Sequence, residues 1–364
     1  MQGVIKRRRS YLQLMRKLTL RKGWFTVDDI SRSAGIPRST ARDWITRLSE
    51  EGCLTLLEHP HGRAPSRFAA VSVLPRTACR RIFTAVDGEM VEVVHECLSG
   101  ACAAFCAKHH SHAHPAVRTI LEGTILRELI PIGKHDIRVG LWPDPAVAVT
   151  GIWQEGDEIV QQIRSVGGPS YSLTEMMGRA EGVIRVETIR HPDSTEGYIR
   201  THVLTHLIIG IDNTDQVDEG ATFALAIALL EYLSEISGTF PIGHHIAMLW
   251  QDLPGKTAGN SCSAIELAVI PEKVELIRKA AIRFVGDESE SDEWGIALYS
   301  GFLIPEHLRV FGHEARCRLV TEDEARSYAR DWGVYIAGGE GIIGSLAAIG
   351  LAHEPEDLVI VPVI

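Results

Sequence analysis

Thr205-His-Leu-Ile-Ile-Gly-Ile-Asp-Asn-Thr-Asp215, followed by Gly220-Ala-Thr222 and an apolar run from Phe223 to Ile236, is the stretch on which the fold turns. Leu207, Ile208 and Ile209 read as a buried strand, Gly210 to Gly220 as the loop at its end, and Thr222 as the cap of a following helix. A strand that enters a loop carrying Asp212 and Asp215, and then a helix N-terminus, sets two carboxylates beside backbone N–H donors. That combination suits a metal-bound phosphate. Asp, Asn, Thr and Gly are also ordinary turn residues, so a plain polar turn competes with this reading when the stretch is taken alone.

Two later segments bear on the choice. Lys256-Thr-Ala-Gly-Asn260 lies between the strand-like runs 246–250 and 264–269, and Gly338-Gly-Glu-Gly-Ile-Ile-Gly344 opens a small-residue helix, Ser345 to Leu351. In this order, Gly210-Ile-Asp-Asn-Thr-Asp215, Lys256-Thr-Ala-Gly-Asn260 and Gly341-Ile-Ile-Gly-Ser-Leu-Ala-Ala-Ile-Gly350 resemble the kinase-like domain of the archaeal agmatidine synthases, over residues 201–364. Members of that family use ATP to activate an anticodon cytidine of a tRNA and then attach agmatine to it. The resemblance implies a nucleotide site made by Asp212, Thr214, Asp215, Lys256, Thr257, Gly259, Asn260, Gly341 and Gly344. It also implies that Asp212 and Asp215 are the catalytic carboxylates and the ligands of Mg, with ATP or another nucleotide as cofactor. Zinc is not expected. The chain departs from the family pattern at Asn213, where a second Asp is usual, at Gln216, where Ser is usual, and at Ala258, where Arg is usual. These changes bear on phosphoryl transfer more than on nucleotide binding. The same segments are similar to a methanogen family of unassigned role, the methanogenesis marker proteins.

With 364 residues, 45% hydrophobic and 23% charged, the composition is that of a soluble globular protein of two or three domains. Apolar runs break well short of a membrane span, and the basic start has no apolar segment behind it, so neither a membrane anchor nor a secretion signal is expected. Seven irregularly spaced cysteines point to a reducing cytoplasm. Charge is divided unevenly along the chain. Residues 1–75 hold 14 Lys+Arg against 6 Asp+Glu, leaving 23 against 41 for the remainder. A basic first domain on an acidic body points to a polyanion partner for the first part.

That first part reads as helices over 11–21, 27–34 with Thr26 as cap, and 38–51, with Gly35-Ile-Pro37 as a tight turn between the last two. The third helix presents Arg38, Ser39, Thr40, Arg42 and Asp43 at its outward N-terminal end, where a helix-turn-helix meets base edges in the major groove. Runs 54–57 and 66–73 form a two-stranded wing, with Arg63 and Arg67 placed for phosphate. The pattern resembles the winged-helix domain of bacterial and archaeal transcription regulators, which implies DNA as partner, RNA or protein being the alternatives.

Between these ends, 77–94 reads as strands with an Asp87-Gly88 hairpin, 115–129 as a helix, and 137–149 as strand interrupted by Trp142-Pro-Asp-Pro145. The densest Cys/His run places Cys102, Cys106 and His110 on one helical face, a candidate metal set. A helix rises about 1.5 Å per residue, so the outer two are about 12 Å apart and cannot share one ion; packing of small residues is the favoured reading. Of His244 and His245, strand alternation expects one ring inside and one outside. The fold expected is α+β: a winged helix-turn-helix over 1–75, a mixed α/β middle over 76–200 and a nucleotide-binding-like body over 201–364. The function expected is a homodimeric DNA-binding regulator whose body senses a nucleotide or related small-molecule metabolite. The alternative is an ATP-dependent RNA-modifying enzyme related to agmatidine synthase. The absence of that family's zinc-ribbon modules after Ile364 weighs toward the regulator.

Overall fold

Helical spacing of apolar residues builds the first three elements, α1 (Gln2–Lys22), α2 (Val27–Ala34) and α3 (Arg38–Glu50), whose buried Met15, Ile30, Ile45 and Leu48 share one small core. The start of α2 is fixed by a capping box. Asp29 N donates to Thr26 Oγ1 at 3.2 Å, and Thr26 N donates to the Asp29 carboxylate at 2.8 Å. Gly35 ends the helix in the left-handed region, at φ 63°, where a Cβ is unfavourable. An antiparallel pair, β1 (Leu54–Glu58) and β2 (Arg67–Ala70), follows in the register Leu54 to Ala70. A computed structural model describes residues 2–60, 64–73, 78–113, 117–167, 176–254, 259–353 and 359–361. It divides into two units, Met1–Arg76 and Thr77–Ile364.

The second unit is built around one strand. Its elements are β3 (Cys79–Asp87), β4 (Met90–Cys97), α4 (Gly100–Ala113), β5 (Arg118–Glu122), β6 (Ile125–Pro131), β7 (Gly133–Lys134), β8 (Val147–Glu155), β9 (Glu158–Ser165), β10 (Val183–Arg190) and β11 (Thr195–Asp212). These are followed by α5 (Thr222–Ser234), β12 (Thr239–Met248), β13 (Ser261–Val269), α6 (Val274–Glu288), β14 (Gly295–Ser300), α7 (Glu306–Cys317), α8 (Glu322–Asp331), β15 (Tyr335–Gly338), α9 (Ile342–Leu351) and β16 (Val359–Val361). The 18 residues of β11 run for about 60 Å at the usual rise. Its first half lies between β9 and β10, its middle touches β3, and its second half lies between β13 and β14.

The second half of β11 is the centre of an antiparallel sheet in the order β16-β12-β13-β11-β14-β15. Strand alternation decides which helices cover which face. Leu207, Ile209 and Ile211 pack with α5 and α6, whereas Ile208 packs with α7, α8 and α9. Both faces are covered, which is why the run reads as continuously apolar. The fold is α+β, and among the described residues no helix is long and apolar enough to cross a membrane.

Helix α9 approaches the sheet backbone to backbone. A Cβ built on Gly210 would lie 1.9 Å from the Ser345 carbonyl oxygen, and one on Gly295 would lie 1.8 Å from the Gly341 carbonyl carbon. On its other side, a Cβ on Gly350 would lie 2.0 Å from the Leu308 carbonyl oxygen in α7. Only glycine fits at these crossings.

A buried ionic network joins β4 and β6 to β11 and β13. Arg127 Nε donates to Glu92 at 2.7 Å, and its Nη2 lies 3.1 Å from Glu266. His206 bridges the same two carboxylates, Nδ1 to Glu92 at 2.6 Å and Nε2 to Glu266 at 2.7 Å. A ring with a carboxylate at each nitrogen is an imidazolium. Burial opposes that charge, but Glu92 and Glu266 overcome it and raise the His206 pKa to about 9. Burial is likewise overcome at Glu92, where Arg127 and His206 hold the carboxyl at about 2.

Several expectations change. The helix expected over 115–129 is the hairpin β5–β6, because Val117, Thr119, Ile120, Thr124 and Ile125 favour a strand and Gly123 turns it at φ 61°. Strand structure expected from Ile137 begins only at Val147. Residues 200 and 201, where a boundary was expected, fall inside β11. Thr222 is the first residue of α5 and makes no capping bond, since its hydroxyl turns to the loop before it. Both His244 and His245 are buried, because β12 is covered on both faces. Gly210→Ala is expected to destabilise the protein by about 3 kcal/mol or more through overpacking, read as a lower urea midpoint at unchanged slope.

Candidate functional site

The register of the sheet brings four loops to one end of it. Asp212 pairs with Gly295, Ile211 with Ser263, and Gly295 with Gly338. The loop after β11, the β12–β13 connection, the turn before β14 and the glycine segment before α9 therefore open together, beside the N-terminus of α9.

The Asp loop is tied down by its own side chains. Asn213 adopts φ 56°, a conformation that Asn tolerates better than most residues, and its Nδ2 donates to Glu293 O at 3.1 Å. Thr214 is buried, and its hydroxyl donates to Thr222 Oγ1 at 3.1 Å, while Thr222 Oγ1 donates to Asp215 Oδ1 at 3.1 Å. Glu290 N closes the loop onto the opposite turn through Thr214 O at 3.0 Å. One oxygen of Asp215 is thereby occupied within the loop.

Asp212 lies against the first turn of α9: a Cβ added to Gly344 would sit 1.8 Å from Asp212 Oδ2. A side chain there would expel the carboxylate. Burial pushes the Asp212 pKa up to about 7, the nearby charge of Asp215 adds to the rise, and the Asn213 backbone N–H partly offsets it. A carboxyl raised in this way holds its proton more readily, and an added cation would favour its ionised form. Two carboxylates are a sparse donor set, which fits Mg because that ion completes its shell with phosphate oxygens and water. Among the described residues no group of three or more His, Cys, Asp and Glu side chains is arranged to hold a metal ion.

The other expected site residues fall as follows. Gly341 packs on the sheet, where an added Cβ would lie 2.7 Å from Asp212 O. Asn260 is committed to the β12–β13 connection, Nδ2 donating to Trp250 O at 2.7 Å, and Gly259 is uncrowded beside it. Lys256 and Thr257 lie outside the described residues. Cys102, Cys106 and His110 lie on α4, and buried His110 bonds through Nδ1 to the Glu128 carboxylate, which also faces His95 Nε2 at 3.3 Å. The trio does not form a group that could hold a metal ion among the described residues.

Sequence reasoning passed over Arg316. It stands in the last turn of α7, next to Ala315, whose carbonyl accepts from Trp250 N at 3.0 Å and so anchors the β12–β13 connection. Burial and Asp212 raise the Cys262 thiol pKa while the Arg316 charge opposes them, so all three side chains are near neighbours at this end of the sheet. Nothing in the spacing of an ordinary amphipathic helix signals this placement.

In the first unit Arg38, Ser39, Arg42 and Asp43 are exposed on α3, with Thr40 half-buried. Arg38 pairs with Asp28 at 2.8 Å. A groove of about 640 Å³ runs between α2, α3 and the β1–β2 hairpin, lined by Arg38, Arg42, Ile45, Leu56 and Phe68. Arg67 is half-buried, 4.2 Å from the centre of the Trp24 ring and 2.9 Å from Glu58. Arg63 lies outside the described residues.

No family model matches the chain. An uncharacterized protein of Methanocaldococcus jannaschii is 28% identical over 276 residues, covering 73% of this chain and 90% of its own. The tRNA 2-agmatinylcytidine synthetase of Cenarchaeum symbiosum is 30% identical over 151 residues, 40% of this chain. The chain spans about a third of that synthetase, 33% of its length. Among solved structures, a complex of such a synthetase with its tRNA and ATP overlays 42% of this chain on 37% of its own, with 24% identity and a TM-score of 0.38. Part of the chain therefore resembles the agmatidine synthases in sequence, and that sequence relation favours the second of the two functions expected.

The raised pKa of Asp212 has a sign. An unfolded Asp titrates near 4, so the folded protein binds the extra proton and loses relative stability as pH rises from about 4 to about 7. His206 acts over a higher window, its stabilisation being complete below about 6.5 and lost as pH rises through about 9. Asp212→Asn is expected to match the wild type at pH 4.5 and to exceed it by on the order of 2 kcal/mol at pH 7.5, in urea unfolding. The decline from pH 7.5 to 9.5 stays in both proteins.

Proposed function

We propose that the protein is an ATP-dependent RNA-modifying enzyme, with the nucleotide phosphates at the Asp212 end of the central sheet and RNA held by the basic first unit. The observation that carries this reading is the seat of the Asp212 carboxylate on Gly344 at the start of α9. It sets a carboxyl whose burial raises its pKa directly against the first turn of α9, in the part of the molecule that carries the synthetase-like motifs. The partial sequence relation to tRNA 2-agmatinylcytidine synthetases supports tRNA as the substrate class, and the motif resemblance implies ATP.

When Mg is bound, its charge would neutralise phosphate oxygens, and Asp212 with the second oxygen of Asp215 would hold it. Asn213 gives its Nδ2 to Glu293 O and, being neutral, brings no negative charge to the ion. Thr214 and Thr222 hold Asp215 in place, the close packing of Gly341 on the sheet and of Gly344 on Asp212 seats the start of α9 against the carboxylates, and Lys256, Thr257 and Gly259 belong to the adjoining connection. Asn260 orients that connection through Trp250.

A DNA-binding regulator remains as the second reading, favoured by the exposed Arg38, Ser39, Arg42 and Asp43 of α3 and by the basic balance of residues 1–75. In it, that end of α3 meets base edges and the C-terminal site senses a nucleotide. The readings separate in one set of assays on the full chain. RNA-dependent ATP consumption with bulk tRNA and Mg is expected, and Asp212→Asn is expected to lower kcat by at least about a hundredfold. Arg42→Ala is expected to weaken tRNA binding and leave ATP binding alone. ATP consumption indifferent to tRNA, together with tight and Arg42-dependent binding to the gene's own upstream DNA, would overturn the enzyme reading.

A further inference from the structure

Among the described residues of the second unit, the two most exposed large apolar side chains, Val217 excepted, are consecutive: Leu141 at 80% and Trp142 at 79% exposure, on the loop between β7 and β8. The loop that carries them is braced. Gly140 N donates to Pro145 O at 3.0 Å, Asp144 N donates to Leu141 O at 3.0 Å, and Ala146 N donates to His109 Nδ1 on α4 at 3.3 Å. Asp144 folds back over Gly140, its Oδ2 lying 2.7 Å from where a Cβ would be. Holding an indole and an isobutyl group in water on a braced loop has no folding rationale, because neither contributes to a core.

We propose that Trp142 is a stacking platform for an unpaired nucleobase of the RNA partner, with Leu141 extending its apolar surface. The chemistry around the ring selects this occupant. The Lys108 ammonium lies 5.6 Å from the centre of the Trp142 ring, and Arg138, with 87% of its side chain exposed, stands at the same loop, 3.0 Å from Asp144. Cations next to an aromatic face suit a base whose phosphates pass alongside, and stacking is tolerant of base identity. They stand out because the chain after residue 75 carries 23 Lys+Arg against 41 Asp+Glu. A protein partner fits poorly: a stable interface covers about 800 Å² on each side, whereas a single aromatic side chain offers about 150–250 Å².

The inference rests on RNA being the partner, and its test separates the two claims. Binding of bulk tRNA, an unstructured oligoadenylate RNA and an RNA duplex of the same length is measured with the full chain, beside Trp142→Ala and Trp142→Phe. The wild type is expected to prefer the single strand to the duplex. Trp142→Ala is expected to bind tRNA and oligoadenylate about tenfold more weakly, with duplex binding unchanged and most of the loss restored in Trp142→Phe. Equal binding by wild type and Trp142→Ala, with tRNA-dependent ATP consumption intact, overturns the platform and leaves the proposed function standing. Absence of any RNA binding overturns both. Unchanged RNA binding with loss of self-association in Trp142→Ala, by sedimentation, assigns the loop to contact between copies and also overturns the platform.

Discussion

Backbone contact between α9 and the central sheet is the constraint on which the second unit depends. Gly210 and Gly295 on adjacent strands, met by Gly341 and Ser345, allow the helix to lie closer than any side chain permits. The same approach brings the start of α9 to Asp212 and lets its far side meet α7 at Gly350. Stability and the candidate site thus share a cause, because moving the helix outward by one methyl group would disturb both.

A second constraint acts just beyond the other end of α9. His353 Nε2 donates to Glu266 at 2.9 Å, joining the network of Glu92, Arg127 and His206. Buried ion pairs of this kind add little net stability, since desolvation offsets most of the attraction, but an unpaired member is costly. The network therefore acts as a matching rule between strands distant in sequence: β4 and β6 have one favourable placement against β11 and β13, the one that satisfies every charge. Glu266 also takes His245 through its Nε2, so five side chains besides the carboxylate itself depend on that placement.

Much of this was legible in the sequence where local chemistry decides. Thr26, Gly35 and the Asp87-Gly88 turn all act on neighbours within a few residues, and each forms the cap or turn that its residue types favour. The apolar run at 207–209 announced a strand, and the segments around Asp212 and Gly341 were readable as parts of one site. What the sequence hid is non-local. Pro115 and its apolar neighbours read as a helix until Gly123 and the cross-strand partners of β5 are known. His206 and Glu266 look like polar interruptions of buried strands, and only the fold shows that they complete each other. Arg316 gives no sign in its helix of lying near Cys262 and the Asp loop.

The length of β11 has a mechanical side. One chain segment supplies rungs to β9 and β10 in its first half and to β13 and β14 in its second, and the two ladders are joined through Val203 and Leu204, which pair with β3. Amide exchange along either half is therefore expected to need the loss of a whole ladder rather than local fraying.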